Sequence, residues 1–154
     1  MATTAADIRG LMIPATSIKL LLPNATVSEV ITFSDPQPLE DVPEWIYGLI
    51  QWRGWNVPLY SFAQLTGVVN TESTDGAKIA IVKGLSGHQK LPYTALLAQG
   101  FPRLITLTDE NVLLDGDQHE LPEGASHSVN VNDEQAYVPN LEDIEVRLAA
   151  AIGV

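Results

Sequence analysis

Asp115, Asp117, His119, Glu120, Glu123 and His127 crowd into one short stretch, the only part of the 154-residue chain dense in groups that ligate metals or move protons. Each strict pattern fails there. A zinc-protease helix requires His-Glu-x-x-His, but Glu123 stands at the last position and Pro122 interrupts any helix. A calcium loop beginning at Asp115 requires Gly sixth and Glu twelfth, where the chain has Glu120 and Ser126. The first reading is a solvated acidic loop. The alternative is a small metal-dependent enzyme or ligand-binding barrel working through Asp115, Asp117, His119 and His127 in loop 115–127. Gly84-Leu85-Ser86-Gly87-His88 is not a nucleophile elbow, because His88 stands where the last glycine belongs. No glycine loop suited to phosphate is present, and with no Cys there are no disulfides, thiolate metal sites or cysteine nucleophiles. The expectation is a non-enzyme with no catalytic residue, no resident metal and no cofactor.

Aromatic residues are concentrated elsewhere. Trp45, Tyr47, Trp52, Trp55, Tyr60 and Phe62 include all three tryptophans. Burial in a core is the ordinary fate of tryptophan. However, Trp52 and Trp55 bracket a tight turn and cannot both point inward from one hairpin. Trp55, beside Arg53, reads equally as core or as the anchor of an interface, where Trp and Arg dominate binding energy.

The elements that must position these residues are mostly strands. Apolar runs of four to eight residues ended by Pro, Gly, Asn or Asp recur along the chain. Strands are predicted at 10–13, 18–22, 25–33, 48–52, 56–60, 78–83, 93–98, 104–107, 128–131 and 135–138. Pro43 is expected to open a helical turn at 44–47, and Pro58 to confine its strand to an edge or an end. Ser61 with Gln64 has capping-box spacing ahead of a short helix stopped by Gly67. Leu141, Ile144, Leu148 and Ile152 form an apolar stripe behind Asn140, Glu142 and Asp143, which predicts a helix over 141–152.

Val57-Pro58 and Val138-Pro139 each end a hairpin and lead into a helix. This echo divides one 1–154 domain into a first lobe at about 9–68 and a second at about 77–140, two similar small barrels followed by the C-terminal helix.

A net charge of -11, from 8 Lys and Arg against 19 Asp and Glu, repels phosphate backbones and argues against nucleic acid. Eleven of the acids fall in residues 109–154 against Arg147 alone, which reads as a solvated face or, more sharply, as a surface for a basic partner. No apolar stretch approaches the roughly 18 residues needed to enter a bilayer, and no leader pattern opens the chain, so the expected place is the cytoplasm.

The run Pro43-Glu44-Trp45-Ile46-Tyr47-Gly48-Leu49-Ile50-Gln51-Trp52-Arg53-Gly54-Trp55-Asn56-Val57-Pro58-Leu59 resembles the central signature of CheW-like chemotaxis coupling proteins, and Val27-Ser28-Glu29-Val30 resembles an upstream strand of that family. The resemblance implies a mostly β fold of two five-stranded, SH3-like barrel lobes. It also implies a non-catalytic adaptor that couples the cytoplasmic tip of a methyl-accepting receptor to the regulatory domain of a CheA-type histidine kinase. Val27, Glu29, Val30, Gly48, Arg53 and Gly54 match family positions at or near partner-binding surfaces, and Trp55 joins them as the turn aromatic. Ser61 in place of a usual acid, and Trp52 in place of a usual Leu, resemble the divergent branch that serves type IV pilus (twitching) chemosensory systems.

Overall fold

A computed structural model describes residues 8–114 and 120–154 of the chain. β1 (Ile8–Pro14) and β2 (Lys19–Pro23) form the expected hairpin around residues 15–18, and a 3-10 turn at Asn24–Thr26 leads to β3 (Val27–Thr32). β4 (Ile46–Trp52) and β5 (Trp55–Tyr60) flank Arg53-Gly54 and run into the single turn of α1 (Phe62–Leu65). β6 (Lys78–Lys83), β7 (Tyr93–Ala98) and β8 (Arg103–Leu107) follow close to their predicted bounds. β9 (Val112–Leu114) is an addition that three mostly exposed residues did not announce. β10 (Ala125–Val131), β11 (Glu134–Pro139) and α2 (Leu141–Ile152) complete the chain. The helix lies where its apolar stripe predicted. Asn140 accepts the Asp143 N–H as N-cap, and Gly153 closes the C-terminus at φ 78°.

Two predicted details differ. Residues 44–47 make a turn and enter β4 instead of a helical turn, because Ile46 is already paired with Tyr60 across the hairpin. β5 is not an edge strand: it lies between β4 and β7. Pro58 is tolerated there because Leu49, opposite it, exchanges both of its backbone hydrogen bonds with Gln37, and the parallel pairing to β7 begins only at Leu59. The missing N–H therefore falls where no partner needs it.

The strands make two sheets that form two lobes, in the orders β8-β1-β2-β11-β10-β9 and β3-β6-β7-β5-β4. One sheet has six strands, β9 being the extra one. The lobes are also not the consecutive segments 9–68 and 77–140. β1 and β2 join β8 to β11 in the six-stranded lobe, whereas β6 and β7 join β3 to β5 in the five-stranded lobe. The reason is that β5 and β11 each need a parallel neighbour, β7 and β2, which a short hairpin cannot supply.

The echo is real in this interleaved form. Each lobe places an antiparallel pair beside a hairpin that carries a bulge, at 46–48 and at 125–127, and each hairpin ends in an N-capped helix. Matching the hairpin turns pairs Ser61 with Asn140 and Pro58 with Tyr137, so the two Val-Pro pairs stand two positions out of step.

Strand alternation divides the apolar residues among three clusters. Ile50, Trp52, Val57, Leu59, Ile79, Ile81, Ala95 and Leu97 fill the five-stranded lobe, and Met12, Leu21, Val129, Val131 and Ala136 fill the six-stranded one. The opposite faces of the same strands, with Ile13, Leu20, Leu22, Ala80, Val82, Leu96 and Ala98, meet between the lobes against Phe62 and Leu65 of α1 and Leu141, Ile144 and Leu148 of α2. Burial on both faces is why β2, β6 and β7 read as unbroken apolar runs.

Candidate functional site

β3 and β4 stand at opposite ends of their sheet order, yet the Trp52 indole N–H donates to Glu29 Oε1 at 2.9 Å. The five-stranded sheet therefore curls until its ends meet. Arg53 joins the same carboxylate, with Nη2 3.4 Å from Oε1, and lays its guanidinium 4.7 Å over the Trp52 ring. Trp52 is buried with Tyr93 edge-on at 4.8 Å, while the Arg53 side chain remains 70% exposed. Such a cation–π contact contributes about 0.5–1 kcal/mol at an exposed site, and the exposed ion pair less than about 1 kcal/mol. The arrangement thus orients the guanidinium and leaves its remaining donors free for a partner carboxylate.

The turn explains why these side chains are presented. Arg53 and Gly54 both have positive φ, 49° and 82°, as a tight two-residue hairpin turn requires. Trp52 and Trp55 stand directly opposite each other across this turn and leave the same face of the hairpin, contrary to the expectation that they could not, with Trp52 buried beneath Tyr93 and Trp55 left at the rim. Trp55 is 43% exposed, so the core reading does not hold for it.

Gly48 admits a close backbone approach from within its own chain. It is buried at φ 137°, and a Cβ there would lie 2.2 Å from the Gln37 carbonyl oxygen. Its backbone is approached by Gln37 of the same chain, so its place is to let residues 35–38 lie against β4. Gln37 is a residue the sequence reading missed.

Val27 and Val30 sit three apart on β3 but share a face, because a bulge between Val27 and Glu29 leaves Val27 opposite Val82 and Val30 opposite Ala80. Both are half-buried against the inter-lobe cluster. Glu29 takes the other face, with Arg53. The structure therefore joins Glu29, Trp52, Arg53 and Trp55 at one mouth and sets Val27 and Val30 apart from them. Close to Val27, a groove of about 480 Å³ runs between the lobes, lined by Leu22, Thr26, Leu85, Val138 and Leu141 among others.

Two buried carboxylates that the sequence did not single out fix this junction. Glu72 accepts from Ser61 Oγ at 2.5 Å and from the Thr16 N–H at 2.8 Å, tying the N-cap of α1 to the β1–β2 turn of the other lobe. Burial, with the Glu72 charge adding to it, raises the nearby Tyr47 hydroxyl above its usual pKa, against a weaker lowering by its bond to the Glu72 carbonyl. Glu145 of α2 accepts from the N–H groups of Leu85 and Ser86 and from Ser86 Oγ, fastening residues 85–86 to the helix. Complete burial, then the Glu145 charge, pushes the Tyr60 hydroxyl far up.

Asp115, Asp117 and His119 lie outside the described residues. Of the other groups in that loop, His127 is exposed beside Ser126 and Glu123 pairs with Arg147 at 3.2 Å. Among the described residues no three His, Cys, Asp or Glu groups converge as metal ligands, and no helix is long and apolar enough to cross a membrane.

The family model of the CheW-like domain matches residues 9–146, nearly the whole chain. The chain belongs to the CheW-like domain family. Its fold is similar to that of the scaffolding protein TtCheW from Thermoanaerobacter tengcongensis, with a TM-score of 0.72 and 16% identity over 87% of this chain and 89% of that one. No curated protein matches it. The mostly β, two-lobed architecture is therefore that of a CheW-like scaffold, and the family is one of non-catalytic proteins.

Proposed function

We propose that this CheW-like protein is a cytoplasmic, non-catalytic adaptor that couples the cytoplasmic tip of a methyl-accepting receptor to the regulatory domain of a CheA-type histidine kinase. One observation carries the reading: at the mouth of the five-stranded lobe, Glu29 and Trp52 orient an exposed Arg53 beside an exposed Trp55. Trp and Arg are the side chains that most often anchor protein interfaces. Val27 and Val30, on the other face of β3 beside the inter-lobe groove, supply a second, apolar surface, so one strand addresses two partners. Gly54 contributes through the turn that aims Arg53, and Gly48 through the strand that carries it.

Calorimetry with a purified kinase regulatory domain, and separately with a receptor tip, tests this. Arg53→Glu is expected to weaken one partner at least about tenfold, the equivalent of roughly 1.4 kcal/mol, while the circular dichroism spectrum stays unchanged. Binding of neither partner by the unaltered protein would overturn the reading. The type IV pilus branch is supported by Ser61 and Trp52 and is tested by deleting the gene: loss of twitching with intact swimming is the expected phenotype.

A further inference from the structure

We propose that Phe101, Lys78 and Arg103 form a docking surface for an acidic segment of a partner protein, one that sets an apolar side chain on the Phe101 ring and a carboxylate between the two cations. The surface lies where the chain crosses from β7 to β8, and so from one lobe to the other. Phe101 is 71% exposed, more than any other large hydrophobic residue described. It is not on a loose segment. The Gln99 N–H donates to the Pro14 carbonyl at 2.8 Å, its side-chain amide donates to the Ser73 carbonyl at 2.8 Å, and Arg103 is already paired with Met12. A pinned, exposed phenylalanine keeps its ring in water, and Lys78 is the cation the fold sets against it.

The cations indicate what covers it. Lys78 Nζ stands 4.8 Å over the Phe101 ring and has no carboxylate partner among the described residues. Arg103 and Lys19 meet on the Glu134 carboxylate, Arg103 Nη2 at 2.7 Å, so these groups already hold a carboxylate of their own chain. A hollow of about 240 Å³ between Met12, Pro14, Lys19, Phe101 and Arg103 gives an apolar side chain somewhere to enter. Three of the eight cations of a chain with net charge -11 gather around Phe101 with Glu134 as the carboxylate paired to two of them, so the patch keeps a positive excess centred on Lys78. An acidic protein segment can meet them locally, whereas a phosphate polymer or an anionic bilayer would meet the repulsion of the whole molecule.

The test is a titration of the ¹⁵N-labelled full chain with a short peptide of Glu and Leu, and with the same peptide carrying Lys in place of Glu. The acidic peptide is expected to shift the amide signals of Lys19, Lys78 and residues 100–103, more weakly as salt is raised, and the basic peptide to leave them in place. Phe101→Ala, at an exposed position, and Lys78→Glu, at the half-buried start of β6, should each reduce the affinity about tenfold. Shifts confined to the neighbourhood of Arg53, no shifts at all, or indifference to both substitutions would overturn the proposal. So would a concentration-dependent dimer that Phe101→Ala abolishes, since a second copy would then be the occupant. Arg53→Glu should leave the acidic-peptide shifts intact, which separates failure here from failure of the adaptor reading.

Discussion

In the five-stranded lobe the carboxylate, Glu29, stands on the outer strand β3 and the cation, Arg53, on the hairpin turn. In the six-stranded lobe the positions are exchanged: Arg103 opens the outer strand β8, and Glu134 follows the turn between β10 and β11. The turns themselves match, with positive φ at Arg53 and Gly54 and again at Asn132 and Asp133. Each ion pair links an outer strand to the hairpin across its sheet, and either sign order serves, so the layout is shared while the chemistry of each mouth is free to differ. The same holds at the bulges. Gly48 and His127 occupy equivalent places, yet Gly48 is buried with the Gln37 backbone against it and His127 is exposed.

Leu148→Ala tests what the lobes share. Leu148 is fully buried in the cluster between them, and its truncation should cost about 2–5 kcal/mol in a single cooperative transition seen by both near-UV and far-UV dichroism. Two separate transitions would show the lobes to be independent units. Gly48→Ala should cost about 3 kcal/mol, or roughly 6–12 °C in Tm, from left-sided backbone strain and the clash with Gln37. His127→Ala, at the equivalent exposed position, should stay within about 0.5 kcal/mol. Equal effects at the two positions would erase the distinction drawn between the bulges.

Glu72→Ala should cost about 1–3 kcal/mol by leaving Ser61 Oγ and the Thr16 N–H without their acceptor, with faster hydrogen exchange at Thr16. The smallest effect is electrostatic. Hydrogen bonds from Arg103, then from Lys19, hold the Glu134 carboxyl at about 2, below its ordinary 4.5. A depressed carboxylate contributes stability above its unfolded value and loses it as pH falls. Lowering the pH from about 4.5 towards 2 should therefore weaken the six-stranded mouth, followed by the Glu134 carboxyl carbon shift. Arg103→Ala should return that titration towards 4.5, and an unchanged midpoint would show that Arg103 does not hold the Glu134 carboxyl down.

Much of the fold was legible because local signals were strong. The helix at 141–152 was readable from a stripe, a cap and an acidic first turn that all agree, and β6 and β7 from apolar runs bounded by turn residues. β9 was not, since its three residues carry no burial pattern of their own and are held by β10. At the site, Arg53 and Trp55 were legible as residue types at one turn, whereas Glu29 came only from the resemblance of its strand to the family's. Gln37, Glu72 and Tyr93 were not, because their partners lie far along the chain and no spacing encodes the contact.

The sequence by itself determined the strand-rich class, the tight turn at Arg53-Gly54, the capped terminal helix and the failure of every catalytic pattern, since these depend on neighbours a few residues apart. Only the tertiary structure decided that the lobes interleave, that Val27 and Val30 share a face, and that Glu29 reaches Arg53. Those outcomes depend on parallel pairing, a bulge and the curl of a sheet, and each of these is fixed by long-range packing that no local stretch of sequence contains.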